Sequence, residues 1–252
     1  MASLLQDKVS LVTGAGGGIG RATAIVLARE GAKVLVSDIS TRRGEETVQL
    51  IEQAGGEADF GKADVSRAAD VEALVDMAVR KWGRLDGAFN NAGISGLIAM
   101  TADDTEENWD KTLAVDLKGV WLCMKYEIRQ MLKQGGGVIV NTASTAGLLA
   151  QPRMGAYAAA KHGVIGITQT AAVEYAEKKI RINAICPGVI ATPPIVEWMK
   201  DEATKNTLLS AEPIGRAGRP EEIGTAVAWL FSDASSFVTG AAIPVDGGLT
   251  AR

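Results

Sequence analysis

Residues 8–38 read Lys8-Val-Ser-Leu-Val-Thr-Gly-Ala-Gly-Gly-Gly-Ile-Gly-Arg-Ala-Thr-Ala-Ile-Val-Leu-Ala-Arg-Glu-Gly-Ala-Lys-Val-Leu-Val-Ser-Asp38. The apolar run at 8–13 has the composition of a buried parallel strand. It passes directly into Gly14-Ala-Gly-Gly-Gly18-Ile-Gly20, and the pattern from Arg21 to Gly31 is helical, with Gly31 as its C-terminal stop. Residues 33–37 form a second strand ending at Asp38. Strand, glycine loop, helix, strand and acid, in that order, compose a dinucleotide-binding βαβ unit. The glycines let the loop turn tightly, let backbone N–H groups approach a pyrophosphate, and let helix pack close on strand. Asp38 is placed to accept hydrogen bonds from adenosine ribose hydroxyls and to repel a 2′-phosphate; its alternative role is a helix N-cap. No Arg or Lys lies between Gly14 and Gly20, and Ile39 follows the acid, which favours NAD over NADP, while Arg42 and Arg43 weigh the other way.

The alternation continues outward from this unit. Helices are expected at 41–54, 67–82, 106–133, 154–178 and 219–231, and strands at 57–63, 85–89, 138–142, 180–185 and 241–245. The helix at 67–82 carries Val71, Leu74, Val75, Ala78 and Val79 on one stripe. Seven strands separated by helices predict an α/β fold, a doubly wound (Rossmann-type) parallel sheet with helices on both faces. With no linker, repeat or low-complexity segment, residues 1–252 form a single domain. Ligands of such sheets bind at the carboxyl ends of the strands. Gly14–Gly20, Asp38, Asp64, Asn90–Gly93, Ser144 and Pro187–Thr192 all fall there, so scattered segments are expected to meet in one cleft.

Composition excludes several classes. The net charge of −4 and the lack of a Lys/Arg cluster argue against nucleic acid as a partner. Cys123 and Cys186 lie in apolar segments without CxxC spacing, which reads as buried thiols, and a single histidine, His162, leaves no metal site. His162 follows Lys161 and points away from it on a helix, so it reads as packing or surface. No apolar run reaches membrane length and the first residues lack a signal-peptide profile, so a cytoplasmic, soluble protein is expected.

A second stretch carries the chemistry: Ser144-Thr-Ala-Gly-Leu-Leu-Ala-Gln-Pro-Arg-Met-Gly-Ala-Tyr-Ala-Ala-Ala-Lys161. Tyr157 and Lys161 stand four apart in an alanine-rich helix former, so phenol and ammonium share one face. A free tyrosine, with a pKa of about 10, is a poor acid–base group at neutral pH. A fixed cation nearby favours the phenolate. Ser144, at a strand end, is placed to hold a substrate oxygen near the phenol.

Taken together, Thr13-Gly-x-x-x-Gly-x-Gly20, Asp64-Val65, Asn90-Asn-Ala-Gly93, Ser144, Tyr157-x-x-x-Lys161 and Pro187-Gly188-x-Ile190-x-Thr192 make the chain similar, along essentially its whole length, to the short-chain dehydrogenase/reductase family. The resemblance implies cofactor contacts from Gly14, Gly18, Ile19 and Gly20. It also implies that Asp64 and Val65 flank the adenine, and that Asn90, Asn91, Ala92 and Gly93 form the floor under ribose and nicotinamide. Ile190 and Thr192 would hold the carboxamide and Lys161 the nicotinamide ribose, with Pro187, Gly188 and Tyr157 also among the cofactor contacts. It further implies a homotetramer built on the helices at 106–133 and 154–178. There, Met154, Val164, Ile165 and Ile167 are expected to add apolar surface that one sheet face does not cover. One position departs from the pattern: the family has Asn in a Val-Asn-Leu-x-Gly context, where it kinks the helix and offers its backbone carbonyl to a proton relay. This chain has Val115-Asp116-Leu117-Lys118-Gly119. The expectation is that Asp116 acts through the same carbonyl; the competing one is a carboxylate lying close to Lys161.

The function implied is reversible hydride transfer between NAD and a secondary alcohol or ketone. Tyr157 would be the acid–base group, Lys161 its charge partner and Ser144 the holder of the reacting oxygen. Substrate contacts are expected from Gly96, Leu97, Ile98, Leu148, Leu149, Gln151, Met154 and the segment 193–212, with Ile195, Val196, Trp198, Met199, Leu208 and Leu209. That apolar lining favours an apolar or alicyclic substrate. The segment reads as a mobile lid or as a static helix packed on the sheet. Two alternatives of other classes remain at this stage: a cofactor-binding regulator without turnover, and an epimerase or lyase on the same fold.

Overall fold

Strand residues here alternate between two apolar layers, as they must when helices cover both faces of a sheet. In the computed structural model, which describes residues 3–210 and 212–252, the strands are β1 (Val9–Val12), β2 (Lys33–Asp38), β3 (Glu57–Lys62), β4 (Gly87–Asn90), β5 (Gly137–Thr142), β6 (Ile180–Pro187) and β7 (Ala242–Val245). The helices are α1 (Gly18–Arg29), α2 (Thr41–Gln53), α3 (Ala68–Trp82), α4 (Glu106–Leu113), α5 (Val120–Gln134), α6 (Gly155–Tyr175), α7 (Pro193–Trp198), α8 (Glu202–Ser210) and α9 (Pro220–Phe231). The strands form one parallel sheet in the order β3-β2-β1-β4-β5-β6-β7. Leu11, Leu35, Ala88, Ile139 and Ile182 pack to one side with Leu74, Val120, Met131 and Val164 from α3, α5 and α6. Their strand neighbours Val12, Val34, Val36, Phe89, Val140 and Ile185 pack to the other with Leu27, Ile51, Ile223 and Val227 from α1, α2 and α9. Each such fully buried Leu, Ile or Phe contributes roughly 1.5–3 kcal/mol. The strand order reverses between β1 and β4, and the crevice at their carboxyl ends is where such folds take a ligand.

Four local expectations change. Helix α1 begins at Gly18, not Arg21, so the last glycines of the loop are its first turn and offer the N–H groups that every helix start leaves unpaired. The long helix expected over 106–133 is interrupted: Ala114–Gly119 form a π-helical turn between α4 and α5. Within the segment expected as a lid or a single helix, 193–198 and 202–210 fold as two short helices, α7 and α8, neither with a fully buried residue, so the described part is not one helix packed on the sheet. Val164 and Ile165 are covered by this chain's own core, whereas Trp109 and Trp121 on α4 and α5 and Val173 on α6, 82% exposed, present apolar surface. Among the described residues no helix is long and apolar enough to cross a membrane.

Candidate active site

The crevice is built from loops that brace one another through hydrogen bonds between side chains and backbone. Thr13, just beyond β1, accepts through Oγ1 the N–H groups of Asn91 (3.0 Å) and Ala92 (3.1 Å) at the end of β4. Asn91 returns its Nδ2 to the carbonyls of Thr13 (3.1 Å) and Gly14 (3.3 Å). Gly14 sits at φ +62°, and a Cβ there would lie 2.7 Å from Ala92 Cα; a Cβ on Gly20 would lie 2.2 Å from the Gly14 carbonyl oxygen. Both positions therefore exclude any side chain. Asp38 is buried at the end of β2, with Oδ2 accepting the Gly16 N–H at 2.9 Å and Oδ1 accepting that of Ser40 at 2.8 Å. Ser40, not Asp38, is the residue at the start of α2. Arg43 reaches Asp38 Oδ1 at 3.5 Å from a half-exposed position.

Other residues singled out from sequence fall along the same edge. Asp64 Oδ1 accepts both the N–H (3.0 Å) and the hydroxyl (2.7 Å) of Ser66, and Val65 packs against Gly119 of the π-helical turn. Asn90 turns inward: its Nδ2 donates to Glu127 Oε2 at 2.9 Å and Asn141 Oδ1 at 3.0 Å, so its side chain braces the sheet from beneath. Gly18 and Thr192 approach each other across the crevice, a Cβ on Gly18 lying 3.0 Å from Thr192 Cγ2. Pro187 ends β6, Gly188 follows it, and Ile190 is buried nearby.

This edge has the donor set for a dinucleotide. The start of α1 has no side-chain cap and no acid in its first turn, and a Cβ on Gly17 would meet nothing within 4 Å. An anionic pyrophosphate is what such a bare, positively polarised helix end accepts. Asp38 lies across the loop where ribose hydroxyls would arrive.

Ser144 and Tyr157 line a cavity of about 490 Å³ next to that edge, bounded also by Gln151, Met154, Ile190 and Ile195 among others. Leu149, Thr207 and Leu208 also line it, whereas Gly96, Leu97, Ile98, Leu148, Val196, Trp198, Met199 and Leu209 of the expected contacts do not. Ser144 Oγ accepts the Ala146 N–H at 3.1 Å, which leaves its hydroxyl proton to donate into the cavity. Lys161 lies behind Tyr157, 3% exposed, its Nζ 5.4 Å from the Tyr157 ring centre. Nζ donates to the Thr142 carbonyl at 3.0 Å and lies 3.2 Å from Asp116 Oδ2. Asp116 is fully buried in the π-helical turn, and its Oδ1 accepts the Ile94 N–H at 2.8 Å. This is the arrangement of the competing expectation, a carboxylate lying close to Lys161. Burial would lower the Lys161 pKa, but the Asp116 carboxylate and then Tyr157 outweigh it and hold the ammonium above its ordinary value. For Asp116, burial pushes the carboxyl up against the opposing pull of Lys161.

Two buried acids had gone unremarked. Glu212 accepts the Val189 N–H at 2.7 Å and so ties the end of the α7–α8 segment to the loop after β6; nothing in its sequence neighbourhood marks it. Glu127 occupies the apolar stripe of α5 between Cys123 and Met131, and a charge in that register is a signal of a buried partner. His162 is exposed, with Nδ1 at 2.9 Å from the Ala158 carbonyl, and both cysteines are buried and free. A second groove, of about 470 Å³, opens at the amino ends of the strands around Lys8, Arg84 and Lys179, away from all of these groups.

Residues 14–250 match the family described as enoyl-(acyl carrier protein) reductase. The chain is 46% identical over 252 residues to cyclohexanol dehydrogenase of Acinetobacter sp. (strain SE19), covering 100% of this chain and 98% of that protein. The crystal structure of levodione reductase superposes with a TM-score of 0.95 at 41% identity, covering 98% of this chain and 99% of the other. Two further crystal structures carry different cofactors. NAD+-bound xylitol dehydrogenase matches with a TM-score of 0.93 at 36% identity over 97% of this chain and 99% of that one. A putative 2-deoxy-D-gluconate 3-dehydrogenase of Agrobacterium tumefaciens with bound NADP matches with a TM-score of 0.92 at 34% identity over 100% and 99%.

Proposed function

This chain belongs to the short-chain dehydrogenase/reductase family, and we propose that it is an NAD-preferring oxidoreductase acting on a secondary alcohol or ketone of apolar, alicyclic character. The observation that carries this is Tyr157 standing between a buried ammonium and an apolar cavity that also receives the Ser144 hydroxyl. Cyclohexanol dehydrogenase and levodione reductase, both named for ring substrates, support the substrate class. The buried Asp38 at the ribose end supports NAD, because a 2′-phosphate there meets like charge.

A nicotinamide dinucleotide held at the start of α1 and Asp38 would supply the hydride acceptor for alcohol oxidation and the donor for ketone reduction. In the oxidation direction Tyr157 Oη takes the hydroxyl proton as the carbinol C–H electrons leave as hydride and the C=O forms. In reduction Tyr157 gives that proton back. Ser144 donates its free hydroxyl proton to the reacting oxygen and steadies the charge that develops there. Lys161 commits one N–H to Thr142 and another side to Asp116, leaving a proton for the phenol and the ribose. Leu149, Met154, Ile195 and Leu208 give the cavity apolar walls against which a ring substrate can pack.

The test is to incubate the protein with NAD and a panel of secondary alcohols that includes cyclohexanol, following NADH absorbance. Tyr157→Phe is expected to lower kcat at least about 1000-fold with cofactor affinity nearly unchanged, since it removes one proton-transfer group. A Phe variant within tenfold of wild type would refute the assignment.

A further inference from the structure

The cavity beside Tyr157 has a polar wall group that hydride transfer does not use. Leu149, Met154, Ile195 and Leu208 make its sides apolar, and no Lys, Arg, Asp or Glu is among the described residues that line it. Gln151 interrupts that apolar lining. Its backbone carbonyl accepts the Met154 N–H, while its side-chain amide has no partner among the described residues. The other polar side chains have duties elsewhere. Ser144 and Tyr157 serve the reacting oxygen, and Thr142 and Thr145 flank Ser144 in the chain. Thr192 approaches Gly18 on the cofactor edge, and Thr207 donates its hydroxyl proton to the Ala203 carbonyl at 2.9 Å. The turn that carries Gln151 is held in one shape. The Met154 N–H meets the Gln151 carbonyl at 3.2 Å, Arg153 between them sits at φ +68°, and the Arg153 carbonyl accepts the Ala99 N–H at 2.9 Å. A non-glycine residue stays at such a φ only where its surroundings impose it, and imposed strain of this kind collects at ligand sites.

We infer, resting on the alcohol–ketone reading of this site, that Gln151 is a specificity-determining residue: its amide takes a second, uncharged oxygen on the ring, so the preferred substrates are cyclic diols, hydroxyketones or diones. An amide carries both a donor and an acceptor, so it matches a hydroxyl and a carbonyl equally well. Against leucine and methionine alone, a second ring oxygen would give up its water hydrogen bonds without replacement. A ring carboxylate asks for more, because it needs a cation or several donors when taken out of water. The lining supplies neither, which sets the second group as neutral. Arg153, the nearest cation in the chain, is exposed and is not among the lining residues.

The test compares kcat/KM with NAD for cyclohexanol, for a cyclohexanediol with its hydroxyls on opposite ring carbons, and for the matching hydroxycyclohexanecarboxylate. Per reactive hydroxyl, the diol is expected to exceed cyclohexanol by about tenfold, the scale of one well-made hydrogen bond, with the carboxylate lowest. In Gln151→Met, which keeps the bulk and removes the amide, the diol-to-cyclohexanol ratio should fall to about one. Gln151→Arg should raise the carboxylate-to-diol ratio at least about tenfold, because it supplies the missing cation. A wild-type ratio of one or below, or a ratio that Gln151→Met leaves in place, would overturn the inference. Calorimetric titration of the diol and of cyclohexanol into wild type and Gln151→Met saturated with NADH reads the same preference without turnover, and equal wild-type affinities there would also overturn it. If no alcohol in the panel is oxidised, the proposed function falls, while the calorimetric ratio still decides the role of Gln151.

Discussion

Glu127→Gln offers the most quantitative check on the interior beneath the site. Glu127 is 0% exposed on α5; its Oε2 accepts from Asn90, but its Oε1 and Asn90 Oδ1 both lack partners. A buried carboxyl oxygen without a donor is less costly if Glu127 carries a proton. Burial raises its pKa from 4.5 to about 8, against the lowering effect of the Asn90 hydrogen bond. The unfolded chain releases this proton near pH 4.5 while the folded protein keeps it to about pH 8. Between those limits the native state binds more protons, so stability falls as pH rises, by about 1.4 kcal/mol per pH unit and roughly 5 kcal/mol across the window. Below the window the carboxyl is neutral in both states, and above it charged in both, so the contribution is flat. The amide of the variant does not titrate. Denaturant unfolding of wild type and Glu127→Gln, at one protomer concentration and several pH values from 5 to 9, should therefore give curves that diverge in favour of the variant as pH rises, then run parallel. Parallel curves from pH 5 upward would refute the buried, protonated carboxyl.

The cofactor preference and the assembly give two further outcomes. Asp38→Ser should reduce the ratio of kcat/KM for NAD over NADP by roughly tenfold to a hundredfold, because it removes the buried anion and leaves Arg43 to meet a 2′-phosphate; an unchanged ratio would defeat the charge explanation. Light scattering should report four copies of the 26.3 kDa chain in the active protein, with Trp121→Glu dissociating them, since Trp109, Trp121 and Val173 leave α4, α5 and α6 with apolar surface that a second copy would cover; a stable, active monomer would contradict it.

Much of the fold was legible because its signals are local. The apolar runs at Val9–Val12 and Ile180–Pro187 and the glycines between strand and helix need only nearest neighbours to be interpreted. The π-helical turn was not legible in the spacing, since one extra residue per turn over Ala114–Gly119 leaves the apolar pattern nearly unchanged; only the family resemblance implied a kink there. Nor was the covering of Val164 and Ile165, which depends on how closely the alanines and glycines of α6 let it approach the sheet. The Asp116 side chain turned on a contact 45 positions away in sequence, between elements whose relative depth no periodicity encodes.

The same separation explains why residue type was easier to assign than role along the carboxyl edge. Asp38, Asp64 and Asn91 were marked as ligand groups, yet each is engaged with backbone of its own or a neighbouring loop: Gly16 and Ser40, Ser66, and Thr13 with Gly14. These bonds fix the loops in the shape that presents free N–H groups and lone pairs to a dinucleotide, so less conformational entropy is lost on binding. A residue that both braces a loop and faces its ligand gives a strong sequence signal for two reasons at once, and its substitution removes both. Asp116 has the same double character one layer deeper. One carboxylate oxygen braces the turn at Ile94 and the other faces Lys161, so a change of charge at constant shape separates two contacts that truncation would remove together.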